Sequence, residues 1–194
     1  MIIILIIIII IIKSPGDFAE FGVWRGGASI AMAKILKWID PNGTRKLHLF
    51  DSFEGHPDYK ALGEKDVDNG GILSNTGGFV KAGIEEVISN FEKYGLKDML
   101  TNKTVIMHKG WFNETIPIAK LKSLAVVRAD GDSYISTKCI FTNTYPVLSK
   151  NGIVIIDDYL DYNACKNAVH TYFHRNNISL SKLVESAYKP YFIK

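Results

Sequence analysis

The sequence predicts an α/β fold, a mostly parallel sheet with helices packed on both faces. Short apolar runs alternate with longer helix-patterned stretches from residue 14 to the C-terminus, the order expected of strands joined by crossover helices. Runs such as Leu124-Ala125-Val126-Val127 and Ile153-Val154-Ile155-Ile156 are apolar throughout. That pattern marks strands covered on both faces rather than on one. Two of them stop abruptly on acids, in Val127-Arg128-Ala129-Asp130-Gly131-Asp132 and Ile155-Ile156-Asp157-Asp158.

The elements follow in order. Phe18 to Val23 is the first strand, and a glycine turn at Gly26-Gly27 leads into a helix over Ser29 to Trp38. Pro41-Asn42-Gly43 breaks that helix, and Lys46 to Phe50 is a strand ending on Asp51. Gly55 to Phe79 is polar and rich in Gly, Asn and Asp, long enough to be a lid or binding loop. A helix over Val80 to Tyr94 stops at Gly95, a suitable C-cap. Val105 to His108 and Leu124 to Arg128 are the next strands, and Ser136 to Leu148 is a helix. The turn Asn151-Gly152 opens a strand over Ile153 to Ile156, Tyr162 to Asn176 is helical, and short strands near Leu180 to Val184 and Tyr191 to Ile193 close the chain.

The chain of 194 residues, 47% hydrophobic and 22% charged, suits one domain with a sizeable core and excludes a disordered chain. A net charge of +3 with scattered basic residues gives no footprint for nucleic acid. Cys139 and Cys165 lack CxxC spacing, which disfavours a disulfide scaffold or zinc site and suits a reducing, cytoplasmic location. Residues 1–13 form an apolar leader in which Ile2 to Ile12 are isoleucine except Leu5. A spanning helix needs about 20 apolar residues, so no membrane span is expected, and the basic start of a signal peptide is missing. Residues 14–194 are read as the single domain.

Four acids at two strand ends would meet at one sheet edge. Unpaired, they repel, so they call for a bound cation or a shared proton. In open parallel sheets ligands bind beyond the carboxyl ends of the strands. The junction Glu20-Phe21-Gly22-Val23-Trp24-Arg25-Gly26-Gly27 is strand, glycine turn and helix. It lacks the Lys-Ser/Thr of a P-loop and the spacing of GxGxxG. Asp51 ends the second strand, where a carboxylate commonly takes ribose hydroxyls. Together these features suggest an adenosyl ligand without a pyrophosphate.

With these residues the chain resembles S-adenosylmethionine-dependent methyltransferases, and within them the macrocin O-methyltransferase family. The matching stretches, in the family's order, are Gly16 to Gly27, Asp51-Ser52-Phe53-Glu54-Gly55, Gly110 to Pro117, Asp130-Gly131-Asp132-Ser133-Tyr134 with Ser136-Thr137, and Ile155 to Tyr159. Phe21 stands where the family has a small residue or Cys, and Ser133 and Ile135 where it has Leu and Glu. The resemblance implies a Rossmann-like, seven-stranded, mostly parallel sheet with an antiparallel last strand. It implies an S-adenosyl-L-methionine-dependent methyltransferase domain over 14–194 that methylates, with Mg²⁺, a hydroxyl of a sugar, glycan or glycosylated natural product. The implied cofactor residues are Glu20, Gly22, Val23, Gly26, Ser29, Asp51, Ser52, Phe53, Gly110, Trp111 and Asp130. The implied metal ligands are Asp130, Asp157 and Asp158, and the implied general base is Asp132.

The chemistry is coherent. A sugar hydroxyl is a poor nucleophile until deprotonated, a hard cation on Asp oxygens can acidify and orient it, and a nearby carboxylate can take the proton. Positioning then supplies much of the rate. The expected partner is a small-molecule or glycan acceptor contacted by Asp58 to Phe79; assembly as a homo-oligomer is left open. Two other readings compete. Asp130-Gly131-Asp132 is also the DxD of nucleotide-sugar glycosyltransferases, which leaves the glycine turn unexplained, and a catalytically inactive binding protein would keep the fold. His170 and His174 share the spacing of HExxH, but Thr171 replaces its Glu, so a solvated helix face is expected. His108 is expected as a satisfied strand-end histidine, and Trp111 and Phe112 as either core or an aromatic wall near the cofactor, the resemblance favouring the wall. The sequons at 42–44 and 102–104 are read as chance.

Overall fold

A computed structural model describes residues 13–58, 78, 80–184 and 189–194. The isoleucine run and nearly all of the expected acceptor loop lie outside these residues. The described elements are β1 (Asp17–Phe21), α1 (Gly27–Ile39), β2 (Leu47–Asp51), α2 (Ile84–Lys93), α3 (Lys97–Thr101), β3 (Val105–Lys109), α4 (Phe112–Ala119), β4 (Leu124–Ala129), α5 (Tyr134–Thr144), β5 (Leu148–Ile156), α6 (Asn163–Arg175), β6 (Leu183–Val184) and β7 (Tyr191–Ile193).

They build one seven-stranded sheet in the order β3-β2-β1-β4-β5-β7-β6. The pairs from β3 to β5 are parallel, and β7 runs antiparallel to both β5 and β6. This is the Rossmann-like sheet expected. Strand order reverses between β1 and β4, and a crevice opens at such a reversal.

Side-chain alternation along the strands divides the core between two layers. Phe18 and Leu49 join Leu36 of α1 and Phe91 of α2 on one face. Phe21 and Phe50 join Phe141 of α5, Phe173 of α6 and Phe192 of β7 on the other. Each fully buried Phe or Leu contributes roughly 1.5–3 kcal/mol, so both faces are tightly held. That rigidity fixes the strand ends, where the acids stand. Among the described residues no helix is long and apolar enough to cross a membrane.

Boundaries shift for local reasons. The helix α1 starts at Gly27 because Gly26, at φ 81°, makes the left-handed turn into it. The helix α5 starts two residues earlier than its sequence pattern, because Ser133 caps it by accepting the Ser136 N–H at 3.1 Å. It also ends at Thr144, and Leu148 belongs to β5, which runs through Asn151-Gly152 rather than starting after them. The expected strand over Leu180 to Val184 is a 3₁₀ turn, Leu180–Lys182, followed by the two-residue β6. Two short helices, α3 and α4, had no clear period. The second carries Pro117 inside it, which argues against a helix from sequence alone.

Candidate functional site

A cleft of about 670 Å³ opens at the carboxyl ends of β1, β2 and β4, within the range of small-molecule sites. The glycine turn forms its floor. Gly22 has φ 90°, and a Cβ there would meet the Asp130 carbonyl oxygen at 2.1 Å. Only glycine lets β1 and β4 leave the sheet this close together.

Asp51 holds the turn in shape. Its Oδ2 accepts the N–H of Val23 at 2.7 Å and of Trp24 at 3.1 Å, and its Oδ1 accepts that of Phe53 at 2.7 Å. Oδ2 is saturated by its two N–H partners, whereas Oδ1 keeps a further lone pair, so Asp51, which lines the cleft, can still receive a ligand hydroxyl. Ser52 lines the cleft and pins the next turn, donating to the Gly55 carbonyl at 3.0 Å. Phe53, by contrast, turns into the core. Gly110, with φ 139°, brings Trp111 to the rim at the start of α4. Trp111, 38% exposed, and Trp24, 50% exposed, both line this cleft. Phe112 serves as both wall and core, since it lines the cleft and packs edge-on against Phe21 at 5.8 Å.

Glu20 and Ser29 lie beneath this surface. Glu20 is 0% exposed, takes a hydrogen bond from the Ser29 hydroxyl, and pairs with Arg128 at 2.8 Å. Burial pushes its carboxyl up to about 7 against the opposing pull of Arg128.

The acids meet as the strand ends implied, with an unequal division. One oxygen from each of Asp130, Asp132 and Asp158 lies within 4.8 Å of the others. Asp158 also accepts the Asp132 N–H at 2.9 Å, holding Asp132 at φ 53°. Burial, then the charges of Asp132 and Asp130, raises the carboxyl of Asp158 far above its ordinary value. Burial, then Asp130 and Asp157, raises that of Asp132. Crowded carboxylates with raised affinity for protons are equally hungry for a cation, and a donor set of oxygens alone suits Mg²⁺. The site therefore fits such an ion. Asp157 points elsewhere: its Oδ1 is 2.8 Å from Arg128 and its Oδ2 3.2 Å from Lys189.

Three residues join the site without having been singled out by the sequence. Arg128 pairs with Glu20, Asp130 and Asp157, each at 2.8 Å. Its signal was a lone cation within an otherwise apolar strand. His56 approaches Asp132 at 3.5 Å and Lys189 reaches Asp157 and Asp161. Both come from chain segments whose positions no sequence pattern specifies. Away from the cleft, His108 stacks on Phe50 at 4.2 Å and meets His48 at 3.0 Å, a satisfied core contact. His170 is engaged too, 2.7 Å from the Tyr159 hydroxyl, whereas His174 is exposed.

The sequence model of the macrocin O-methyltransferase (TylF) family matches residues 6–185. A Streptomyces olivaceus protein, 8-demethyl-8-(2,3-dimethoxy-α-L-rhamnosyl)-tetracenomycin-C 4'-O-methyltransferase, is 44% identical over 85% of this chain and 60% of its own length. The mycinamicin III 3''-O-methyltransferase of Micromonospora griseorubida is 41% identical over 85% of this chain and 63% of its own length. This chain thus spans less than two thirds of either relative. The solved structure of the O-methyltransferase NovP superposes with a TM-score of 0.85 at 36% identity, covering 97% of this chain and 77% of that one.

Proposed function

This chain belongs to the macrocin O-methyltransferase family, and from that premise we propose that it is an S-adenosylmethionine-dependent O-methyltransferase acting on a sugar hydroxyl of a glycosylated small molecule. One observation carries the reading. The glycine turn with Asp51 and the acids Asp130 and Asp132 line a single cleft, so a methyl donor and a hydroxyl acceptor would lie side by side. The relatives quoted above are named for methylating positions on glycosylated natural products, which supports the choice of acceptor class.

When bound, S-adenosylmethionine supplies an electrophilic methyl on a sulfonium, and a divalent cation supplies charge that acidifies a hydroxyl. The chain's residues do the rest. Gly22 and the N–H groups after it, held by Asp51, present backbone to the cofactor, and Asp51 offers an oxygen to its ribose. Asp130 and Asp158 would hold the cation. Asp132, beside them, takes the acceptor's proton as general base, a role suited to a carboxyl whose proton affinity is raised. Asp157, held by Arg128 and Lys189, supports Asp130 through the shared guanidinium.

The test is transfer of a labelled methyl group from S-adenosylmethionine to a panel of glycosides, with Mg²⁺ and with chelator. Label on a sugar oxygen in the Mg²⁺ arm alone is the expected result. Turnover of a nucleotide sugar with no label transfer would overturn the reading in favour of a glycosyltransferase.

A further inference from the structure

Arg128 stands between the two halves of the cleft and touches both. It sits in β4 directly opposite Glu20 of β1 in the parallel register. Its Nη1 lies 2.8 Å from Glu20 Oε1 and 2.8 Å from Asp130 Oδ2, and its Nη2 lies 2.8 Å from Asp157 Oδ1. The same Nη1 donates to the Gly22 carbonyl at 3.4 Å. Glu20 in turn accepts from Ser29, in the first turn of α1. One planar group therefore joins the glycine turn and its helix to the acids that gather at the ends of β4 and β5.

Resting on the function proposed above, we infer that Arg128 is a positioning residue that couples cofactor binding to divalent-cation binding. The guanidinium stays charged under all conditions and its donors form a fixed fork. It cannot release one carboxylate without changing its grip on the others. Ordering Asp130 for a cation therefore orders Glu20 and the Gly22 carbonyl, and ordering the turn for a cofactor orders Asp130. Whichever ligand arrives first bears the cost of fixing this network, and the second binds more tightly. Linkage requires the enhancement to be the same in both directions.

Lysine separates charge from geometry. Its single ammonium keeps the positive charge but cannot span three carboxylates. The experiment is calorimetric titration of the full chain with S-adenosylhomocysteine, with and without Mn²⁺, and the reciprocal Mn²⁺ titration. We expect Mn²⁺ to tighten S-adenosylhomocysteine binding by about fivefold or more, the lower end of typical coupling, with the same factor in the reciprocal titration. In Arg128→Lys the factor falls to near one while circular dichroism shows a folded protein. In Glu20→Gln, which keeps a partner for Ser29, the factor also falls. Binding of both ligands with a factor of one in the unaltered protein overturns this inference alone. So does a factor that survives in either variant. Failure to bind S-adenosylhomocysteine at all overturns the functional reading and this inference with it.

Discussion

The carboxylate of Asp158 accepts the backbone N–H of Asp132 at 2.9 Å. One acid thereby places another acid from a different strand end. This contact keeps the loop after β4 in its left-handed turn at Asp132, at the cost of bringing like charges together. The raised carboxyl of Asp158, caused first by burial and then by Asp132 and Asp130, has a definite consequence for stability. A carboxyl whose folded pKa exceeds its unfolded value leaves stability intact at low pH and removes it as pH rises toward the folded value. Asp158→Asn keeps an oxygen for the Asp132 N–H and removes the proton uptake that folding otherwise requires at neutral pH. In chelator at pH 7 the variant is expected to melt a few degrees above the unaltered protein, while its Mn²⁺ affinity drops at least tenfold, about the loss typical of disturbing a metal's surroundings. Melting curves and a Mn²⁺ titration check both.

Asp132→Asn removes the proposed base but little volume. Methyl transfer is expected to fall about 10²- to 10⁴-fold, with S-adenosylhomocysteine binding unchanged by calorimetry. Unchanged turnover would remove Asp132 from the chemistry.

At Gly22 the prediction concerns the fold. Alanine there would set a Cβ 2.1 Å from the Asp130 carbonyl oxygen at a φ of 90°. Neither backbone can move without breaking the ladder, since the Gly22 N–H is bonded to Phe50 and the Asp130 N–H to Phe21, both at 2.9 Å. Gly22→Ala is expected to cost more than about 4 kcal/mol, read as loss of the folded fraction in urea titration.

His108 predicts an acid-labile core. Burial, then the neighbouring His48, holds its ring down at about 4. A base depressed in the folded state gives stability that is full above its ordinary value near 6.5 and is lost as pH falls toward 4. Partial exposure limits the loss to about 1–2 kcal/mol. His108→Gln is expected to flatten this part of the stability profile between pH 6.5 and 4, measured by urea titration at each pH.

Much of this molecule was legible in its residues. The apolar runs at Leu124 and Ile153 announce strands covered on both sides, because the number of buried faces sets the periodicity. Asp51, Asp130 and Asp158 could be placed at strand ends because an acid closing an apolar run has nowhere else to go. Gly22 and Gly26 read as a turn because the backbone there needs positive φ. The helix α4 escaped this reading, since eight residues containing Pro117 carry little period. Ser29 and Glu20 stand in the stretch that the resemblance assigns to the cofactor, and they lie under the cleft surface, bonded to each other, with Glu20 also paired to Arg128. Pattern reports proximity to a site and not depth within it.

The sequence by itself determined the alternation of strands with most of the helices, a ligand site beyond the carboxyl ends of the strands, and the acids that gather there. These follow from local periodicity and from which residues end a strand. Only the tertiary structure decided how the acids divide: Asp132 with Asp130 and Asp158, and Asp157 with Arg128 and Lys189. That division depends on side-chain directions at the tips of β4 and β5 and on a lysine far along the chain. Angstrom-scale packing of β1 against β4, made close by Gly22, sets those directions, and no spacing along the chain encodes them.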